Sequence, residues 1–199
     1  MTNSYPFTVF GDEFKGKRVL VTGGTKGIGE AILRRFALSG ASVATTARSE
    51  VAHSQASVLF IKADLGTASG AQNVVDRIQQ EWGGLDVLVN NAGGTETKTG
   101  GFEVLTDEDW QRILDVNLLA AVRLDRAFLP GMIERKSGVV IHISSVAHRL
   151  PFPNSTLAYA AVADATARNR TKVAVIAGDH PSVQRAIICF VLMGASQCL

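Results

Sequence analysis

One stretch near the start of the chain constrains the fold most, because a short apolar run leads directly into closely spaced glycines. The run is Arg18–Val21, and Thr22–Gly29 then reads Thr-Gly-Gly-Thr-Lys-Gly-Ile-Gly. Ile28, Ile32 and Phe36 follow at helical spacing. A strand, a glycine turn and a helix in this order form a cradle for pyrophosphate, since glycines allow close backbone approach and the helix start offers N–H groups. The stretch therefore predicts a nucleotide site.

Short runs rich in β-branched residues alternate with helical patterns along the chain. The predicted strands are Arg18–Val21, Ser42–Thr46, Val58–Lys62, Asp86–Asn90 and Val139–Ile143. Strands that alternate with helices form parallel sheets with right-handed crossovers, so we predict an α/β fold. We expect a Rossmann-type, doubly wound parallel sheet in three layers, incomplete at its C-terminal end. Strand order 3-2-1-4-5 would leave Val139–Ile143 as an edge strand.

The predicted helices carry ordinary start and stop signals. The first follows the glycine turn and ends at Gly40, and the second has apolar residues at helical spacing over Ala71–Trp82. Thr106 is a hydroxyl cap followed by an acidic first turn, and it opens one continuous predicted helix over Thr106–Met132. A last helix is predicted over Ala158–Arg168.

Composition narrows the class of protein. The 199 residues are 46% hydrophobic and 19% charged, with a net charge of +2, which is ordinary for one globular domain and gives no nucleic-acid footprint. The first residues lack a signal pattern, and the longest apolar run, Ala186–Ala195, is too short to span a bilayer. Cys189 and Cys198 have no metal-like spacing and are expected to be free thiols. We expect a cytoplasmic protein without nucleic-acid or membrane partners and without a metal.

The end of the second predicted strand indicates the type of nucleotide. In a dinucleotide fold, an acidic residue here binds the ribose 2′-hydroxyl, whereas arginine favours a 2′-phosphate. The sequence is Ala47-Arg48, without an acid, and Lys26 adds a second positive charge within the glycine turn. These two cations predict NADP(H) rather than NAD(H). The alternative is that both are solvated surface groups.

Further short motifs follow in a fixed order. They are Asp64-Leu65, Asn90–Gly93, Asn117, Ser144-Ser145 and Tyr159. Together with the glycine turn, they resemble the short-chain dehydrogenase/reductase family over residues 17–161. The resemblance implies an oxidoreductase that transfers a hydride between NADP(H) and a small carbonyl or alcohol substrate, commonly as a homo-oligomer.

The resemblance also assigns roles to individual residues. Tyr159 would be the general acid, Ser145 would stabilise the charge developing on the carbonyl oxygen, and Asn117 would hold a water of the proton relay. Ser145 is chosen over Ser144 because the family's serine is the second of the pair. In the resemblance, Asp64 and Leu65 would lie along the adenine, and Asn91, Ala92 and Gly93 would line the cofactor cleft. The implied cofactor-binding residues are Gly23, Thr25, Lys26, Gly27, Ile28, Gly29, Arg48, Asp64, Leu65, Asn91, Ala92 and Gly93.

The sequence departs from the family pattern after the tyrosine. The family has a lysine four residues later, where this chain has Ala163. Val173–Ala177 also follows too early for a sixth strand. We therefore divide the chain into an N-terminal extension (1–16), a dinucleotide-binding domain with the catalytic serine and tyrosine (17–161), and an atypical tail (162–199). The hypothesis for the tail is a frameshift or an aberrant, truncated C-terminus. Without the lysine, we expect oxidation, which needs the phenolate as base, to suffer more than reduction.

Two other interpretations stay open at this point. The chain could be a catalytically silent NADP(H)-binding module, or a non-functional product. His142, inside the predicted fifth strand, is expected to be a core histidine with its hydrogen bonds satisfied rather than an acid–base group.

Overall fold

The computed structural model describes residues 10–50, 57–95, 98, 100, 102–145, 147 and 157–168. Five parallel strands form one sheet in the order β3-β2-β1-β4-β5. They are β1 (Arg18–Thr22), β2 (Ser42–Ala47), β3 (Val58–Lys62), β4 (Val87–Asn90) and β5 (Val139–His142). The predicted doubly wound sheet and its strand order are confirmed, and no strand end differs from the predicted one by more than one residue.

The sheet lies between two layers of helices because its middle strands are apolar on both faces. Val19, Leu20 and Val21 of β1 are fully buried. One face packs against α1 (Gly27–Leu38), through Leu33 and its neighbours. The other face packs against α2 (Ala68–Trp82) and a later helix, through a cluster that includes Leu88 and Ile78. Helices therefore cover both faces, as the alternating pattern predicts.

The predicted continuous helix over Thr106–Met132 is wrong in one respect. It consists of α3 (Asp107–Leu114), a π turn (Asp115–Leu119) and α4 (Ala120–Glu134), and the N–H of Ala120 donates to the carbonyl of Asp115. The Asn117 side chain donates to the carbonyl of Ile113, 3.0 Å away. A side-chain amide that competes for a backbone carbonyl loosens the α-helical ladder, and π turns of this kind are frequent at functional sites.

The start of α3 has the predicted cap. Thr106 Oγ1 accepts a hydrogen bond from the N–H of Asp109, and the Asp109 carboxylate accepts from the N–H of Thr106, which is a complete capping box. Lys98, followed by the Thr106 N–H, holds the pKa of Asp109 well below its usual range. The helix that leads to Asn117 is thus fixed at its start.

The last described element is α5 (Leu157–Arg168), which carries Tyr159 and packs on α3 around Ile113 and Val162. Among the described residues, β5 is an edge strand, as expected from the strand order. Parts of the sequence interpretation lie outside the described residues: Val173–Ala177, both cysteines, residues 1–9 of the N-terminal extension and the tail from residue 169. No helix in the described ranges is long and apolar enough to cross a membrane.

Candidate active site

The glycine turn, Thr22–Gly29, connects β1 to α1, and its backbone needs glycine for two separate reasons. The angle φ is +65° at Gly23 and +58° at Gly27, in the left-handed region that other residues rarely adopt. At Gly24, a Cβ would lie 2.5 Å from Thr45 Oγ1, and at Gly29 it would lie 2.4 Å from Asn91 Nδ2. The glycine spacing therefore follows from the geometry of the turn itself.

Buried hydroxyls at the end of β2 hold the turn from one side. Thr45 Oγ1 accepts from the N–H of Gly24 and donates to the carbonyl of Val21, both at 2.8 Å. Thr46 Oγ1 accepts from the N–H of Gly23 at 3.3 Å. Sequence analysis missed these threonines, although two adjacent hydroxyl residues at the end of a buried strand were a visible signal.

The Asn91 side chain and the segment after β4 hold the turn from the other side. Asn91 Nδ2 donates to the carbonyl oxygens of Thr22, at 2.8 Å, and Gly23, at 3.2 Å. Thr22 Oγ1 accepts from the backbone N–H groups of Asn91 and Ala92, both at 2.9 Å. The structure therefore joins the predicted cofactor residues of the glycine turn to Asn91 and Ala92 of the predicted cleft.

The start of α1 and the end of β2 carry the two predicted cofactor cations. Lys26 is the N-cap residue of α1, and no side chain caps this helix start. A helix start without a side-chain cap suits an anionic group. Arg48 directly follows β2, and both cations are exposed. Thr25 precedes Lys26 and Ile28 lies in the first turn of α1, and both are partly buried. Contact of these residues with a cofactor stays a prediction.

Asp64 and Leu65 lie in the loop between β3 and α2, called here the 64–67 loop (Asp64–Thr67). Asp64 Oδ1 accepts from the N–H of Gly66 at 3.0 Å, and the carbonyl of Asp64 accepts from the hydroxyl of Thr67 at 2.9 Å. Thr67 also caps α2 through the N–H of Gly70. Leu65 is buried and Asp64 is exposed. The loop thus has a defined shape and an outward carboxylate.

Asn117 connects the π turn to the segment that leaves β4. Its Nδ2 donates to the carbonyl of Gly94 at 2.8 Å, and its Oδ1 accepts from the N–H of Gly94 at 3.0 Å. At Gly93, a Cβ would lie 2.7 Å from Asn117 Oδ1, so a side chain there would force the Asn117 amide to shift. The structure therefore brings Asn117 to the predicted cofactor residue Gly93.

Ser145 and Tyr159 lie in the segments that follow β5, the outermost described strand on this side of the sheet. Ser145 follows β5, and its Oγ accepts from the N–H of Ala147 at 3.2 Å. Tyr159 is partly buried in the cluster that joins α5 to α3. Ser144 Oγ donates to the carbonyl of Ala163 at 3.2 Å, and Ala163, in the place of the family's lysine, is buried. The roles of Ser145 and Tyr159 stay predictions.

A buried polar cluster lies behind this edge, made of Asn90, Asp125 and His142. Asn90 Nδ2 donates to Asp125 Oδ1 at 2.8 Å, and His142 Nε2 lies 3.3 Å from Asp125 Oδ2. His142 is buried as expected, but its hydrogen bonds are not satisfied: within the described residues, neither ring nitrogen, nor Asn90 Oδ1, makes one. The physical reason is that Asp125 reaches the ring at ion-pair distance without hydrogen-bond geometry. Sequence analysis missed Asp125, whose signal was an acid on the core face of a helix.

Comparison with known proteins gives a consistent result. The profile of the family described as short chain dehydrogenase matches residues 17–176. The NADP-dependent 3-hydroxy acid dehydrogenase YdfG of Escherichia coli is 36% identical over 143 residues, which are 67% of this chain and 56% of that protein.

Two solved structures share the fold. The L-sorbose reductase of Gluconobacter frateurii, complexed with NADPH and L-sorbose, has a TM-score of 0.75 and 31% identity, over 83% of this chain and 65% of that one. The NADH-dependent reductase A1-R′, complexed with NAD, has a TM-score of 0.73 and 27% identity, over 80% of this chain and 72% of that one. The chain spans about half the length of the curated relatives it matches. The profile match, together with the sheet order, the glycine turn and the position of Asn117, places the chain in the short-chain dehydrogenase family of oxidoreductases.

Proposed function

We propose that this chain binds NADP(H) across the carboxyl edge of its sheet. The observation that carries the proposal is the glycine turn, which is fixed between Thr45 and Asn91 and leads into a helix start without a side-chain cap. An added Cβ at Gly24 or Gly29 would collide with those two side chains. A pyrophosphate fits such a turn because backbone N–H groups and the positive end of the helix favour negative charge.

The preference for the phosphorylated cofactor rests on charge. Arg48 follows the last residue of β2, where NAD-preferring sites carry an acid, and Lys26 lies in the glycine turn. The similar proteins include both types, with NADPH in L-sorbose reductase and NAD in the reductase A1-R′. We therefore base the proposed preference for NADP(H) on the charges of Lys26 and Arg48.

The proposed reaction is the interconversion of a carbonyl and an alcohol. The bound nicotinamide supplies or accepts the hydride. Tyr159 would donate its phenolic proton to the carbonyl oxygen, Ser145 would donate a hydrogen bond to the same oxygen, and Asn117 would hold a relay water. In the reverse direction, the tyrosine must accept a proton as phenolate.

Ala163 limits this chemistry. A free tyrosine has a pKa of about 10, so about one in a thousand is ionised at neutral pH. The family's lysine would favour the phenolate, and here the position holds a buried alanine. We expect oxidation, which needs the phenolate, to suffer more than reduction. Binding of NADP(H) without turnover is therefore the second candidate function, and the alanine at 163 is the observation that favours it.

The test begins with titration of the purified protein with NADPH and with NADH by calorimetry. We expect NADPH to bind about tenfold or more tightly than NADH, and Arg48→Ala to remove most of that difference. Arg34→Ala, an exposed arginine on α1, is the matched control and should leave it unchanged. Equal affinity for both cofactors in the parent protein would overturn the NADP(H) assignment. Turnover on a panel of ketones and aldehydes then separates the enzyme from the silent binding module.

A further inference from the structure

Arg123, on the first turns of α4, contacts two segments that lie far apart in sequence. Its Nη1 donates to the carbonyl oxygens of Leu65, at 3.3 Å, and Gly66, at 3.2 Å, in the 64–67 loop. Its Nη2 donates to Asp115 Oδ1 at 2.7 Å, on the first residue of the π turn that holds Asn117. We infer that Arg123 is a positioning residue that couples the adenine side of the cofactor site to the turn of Asn117. This inference rests on the proposed function.

On the loop side, Arg123 supplies donors that the loop itself does not. The loop's own hydrogen bonds use the side chain and carbonyl of Asp64, through Gly66 and Thr67. The carbonyl oxygens of Leu65 and Gly66 instead accept hydrogen bonds from the Arg123 guanidinium. Because Asp64 and Leu65 are the residues proposed to lie along the adenine, this contact holds the backbone of Leu65 itself and of the adjoining Gly66.

On the helix side, Arg123 contacts the carboxylate that opens the π turn. Asp115 Oδ1 accepts from Arg123, and Oδ2 accepts from Gln111 Nε2 at 2.9 Å. Hydrogen bonds from Gln111, and then from Arg123, lower the pKa of Asp115, so that the group is a carboxylate at neutral pH. The backbone carbonyl of Asp115 accepts from Ala120 and closes the wide turn around Asn117. A movement of Asp115 would therefore also move the backbone of the π turn that carries Asn117.

The chemistry of the side chain explains why an arginine can make this link. A guanidinium has a planar fork of donors, so one edge can serve carbonyl groups while the other meets a carboxylate. The Arg123 and Asp115 side chains are 19% and 22% exposed, so solvent screens the pair only in part. Arg126 differs from Arg123 in exposure. Both arginines line a groove between α2 and α4, but Arg126 is exposed.

The coupling has a direct consequence. A ligand that orders the 64–67 loop should also steady the π turn, because both segments share one guanidinium. Adenosine 2′,5′-bisphosphate carries the adenine and the 2′-phosphate of NADPH but no nicotinamide. In the full chain, its binding should slow amide exchange over residues 115–119, which the fragment is not expected to touch.

The experiment compares Arg123→Met with Arg126→Met in the 199-residue chain. We expect Arg123→Met to lower the affinity for adenosine 2′,5′-bisphosphate, measured by calorimetry, about five- to tenfold. The substitution should also abolish the ligand-induced slowing of amide exchange at residues 115–119. Arg126→Met should change neither. Arg123→Lys, whose compact ammonium cannot serve both segments at once, should recover less than half of the lost affinity on a logarithmic scale.

Each outcome decides between the inference and the proposed function. Equal affinity and equal protection in Arg123→Met and the parent protein would overturn the inference while leaving NADP(H) binding intact. Weakened binding with unchanged protection at residues 115–119 would also overturn it, since Arg123 would then support the loop alone. Absence of any binding by the parent protein would overturn the proposed function, and with it the cofactor-positioning role of Arg123.

Discussion

The glycine-turn region and the β5–α5 region of the molecule differ in how firmly they hold their functional residues. The glycine turn lies over the middle of the sheet, where β1 has a strand on each side. Ser145 follows β5, which is the outermost strand among the described residues, and Tyr159 lies on α5, the last described helix. The comparison indicates that cofactor binding is built into the core, whereas the proposed catalytic groups depend on contacts at its margin.

The largest effect is expected from a substitution in the glycine turn. Gly29→Ala would place a Cβ 2.4 Å from both Asn91 Nδ2 and the Gly23 carbonyl oxygen, and the backbone atom cannot move away cheaply. We expect a loss of about 3 kcal/mol in the free energy of unfolding, and no measurable NADPH binding. Urea unfolding and calorimetry measure the two quantities.

The matched control is Gly11→Ala. Its Cβ would meet nothing within 4 Å, so stability and NADPH affinity should stay as in the parent protein. Normal NADPH affinity in Gly29→Ala would contradict the structural role given to the turn.

The next prediction concerns the join between the two regions. Asp125 of α4 contacts Asn90 at the end of β4 and lies beside His142 at the end of β5. Asp125→Ala leaves the buried Asn90 amide without its hydrogen-bond acceptor and removes the carboxylate beside the buried imidazole, so we expect a loss of about 2–4 kcal/mol in the free energy of unfolding. Asp76→Ala, an exposed aspartate on α2, is the control for urea denaturation. A loss below about 1 kcal/mol for Asp125→Ala would show that the buried polar cluster does not tie the strands together.

The same contrast explains how far sequence reasoning reaches. The strands and the glycine turn could be predicted because periodicity and glycine spacing are local signals that the core obeys, whereas the segment Asn91–Gly93 was assigned through the family resemblance. The π turn could not, because it accompanies a side-chain hydrogen bond, from the Asn117 amide to the carbonyl of Ile113, that hydrophobic periodicity does not reveal. The pairing of Asp125 with His142 was also hidden, since it exists only once the register sets Asn90 opposite His142.

A prediction about pH tests the ion pair between Arg18, the first residue of β1, and Asp86, which directly precedes β4. Arg18 donates to both carboxylate oxygens of Asp86, at 2.7 and 2.9 Å, and this hydrogen bonding lowers the pKa of Asp86. A depressed folded pKa contributes stability that is present above the unfolded value, about 4, and is lost as pH falls through the folded value. Asp86→Asn should therefore cost about 1 kcal/mol at pH 7, after discounting for partial exposure, and progressively less below pH 4.

Chemical denaturation at several pH values measures this difference. Asp76→Asn removes a carboxylate of the same kind from an exposed helical position and should show no such trend. A stability difference between Asp86→Asn and the parent protein that stays constant from pH 7 down to pH 3 would contradict the linkage.

The smallest expected effect sharpens the comparison at the sheet edge. Ser144 Oγ donates to the Ala163 carbonyl, and this bond ties the end of β5 to α5. Ser144→Ala should lower the free energy of unfolding by less than about 1 kcal/mol, while amide exchange in residues 157–168 rises several-fold and exchange in β1 stays unchanged. Ser137→Ala, at an exposed serine before β5, is the matched control. Equal acceleration in β1 and α5 would mean that the two regions open as one unit, which would remove the distinction between a firmly held cofactor site and a loosely held catalytic edge.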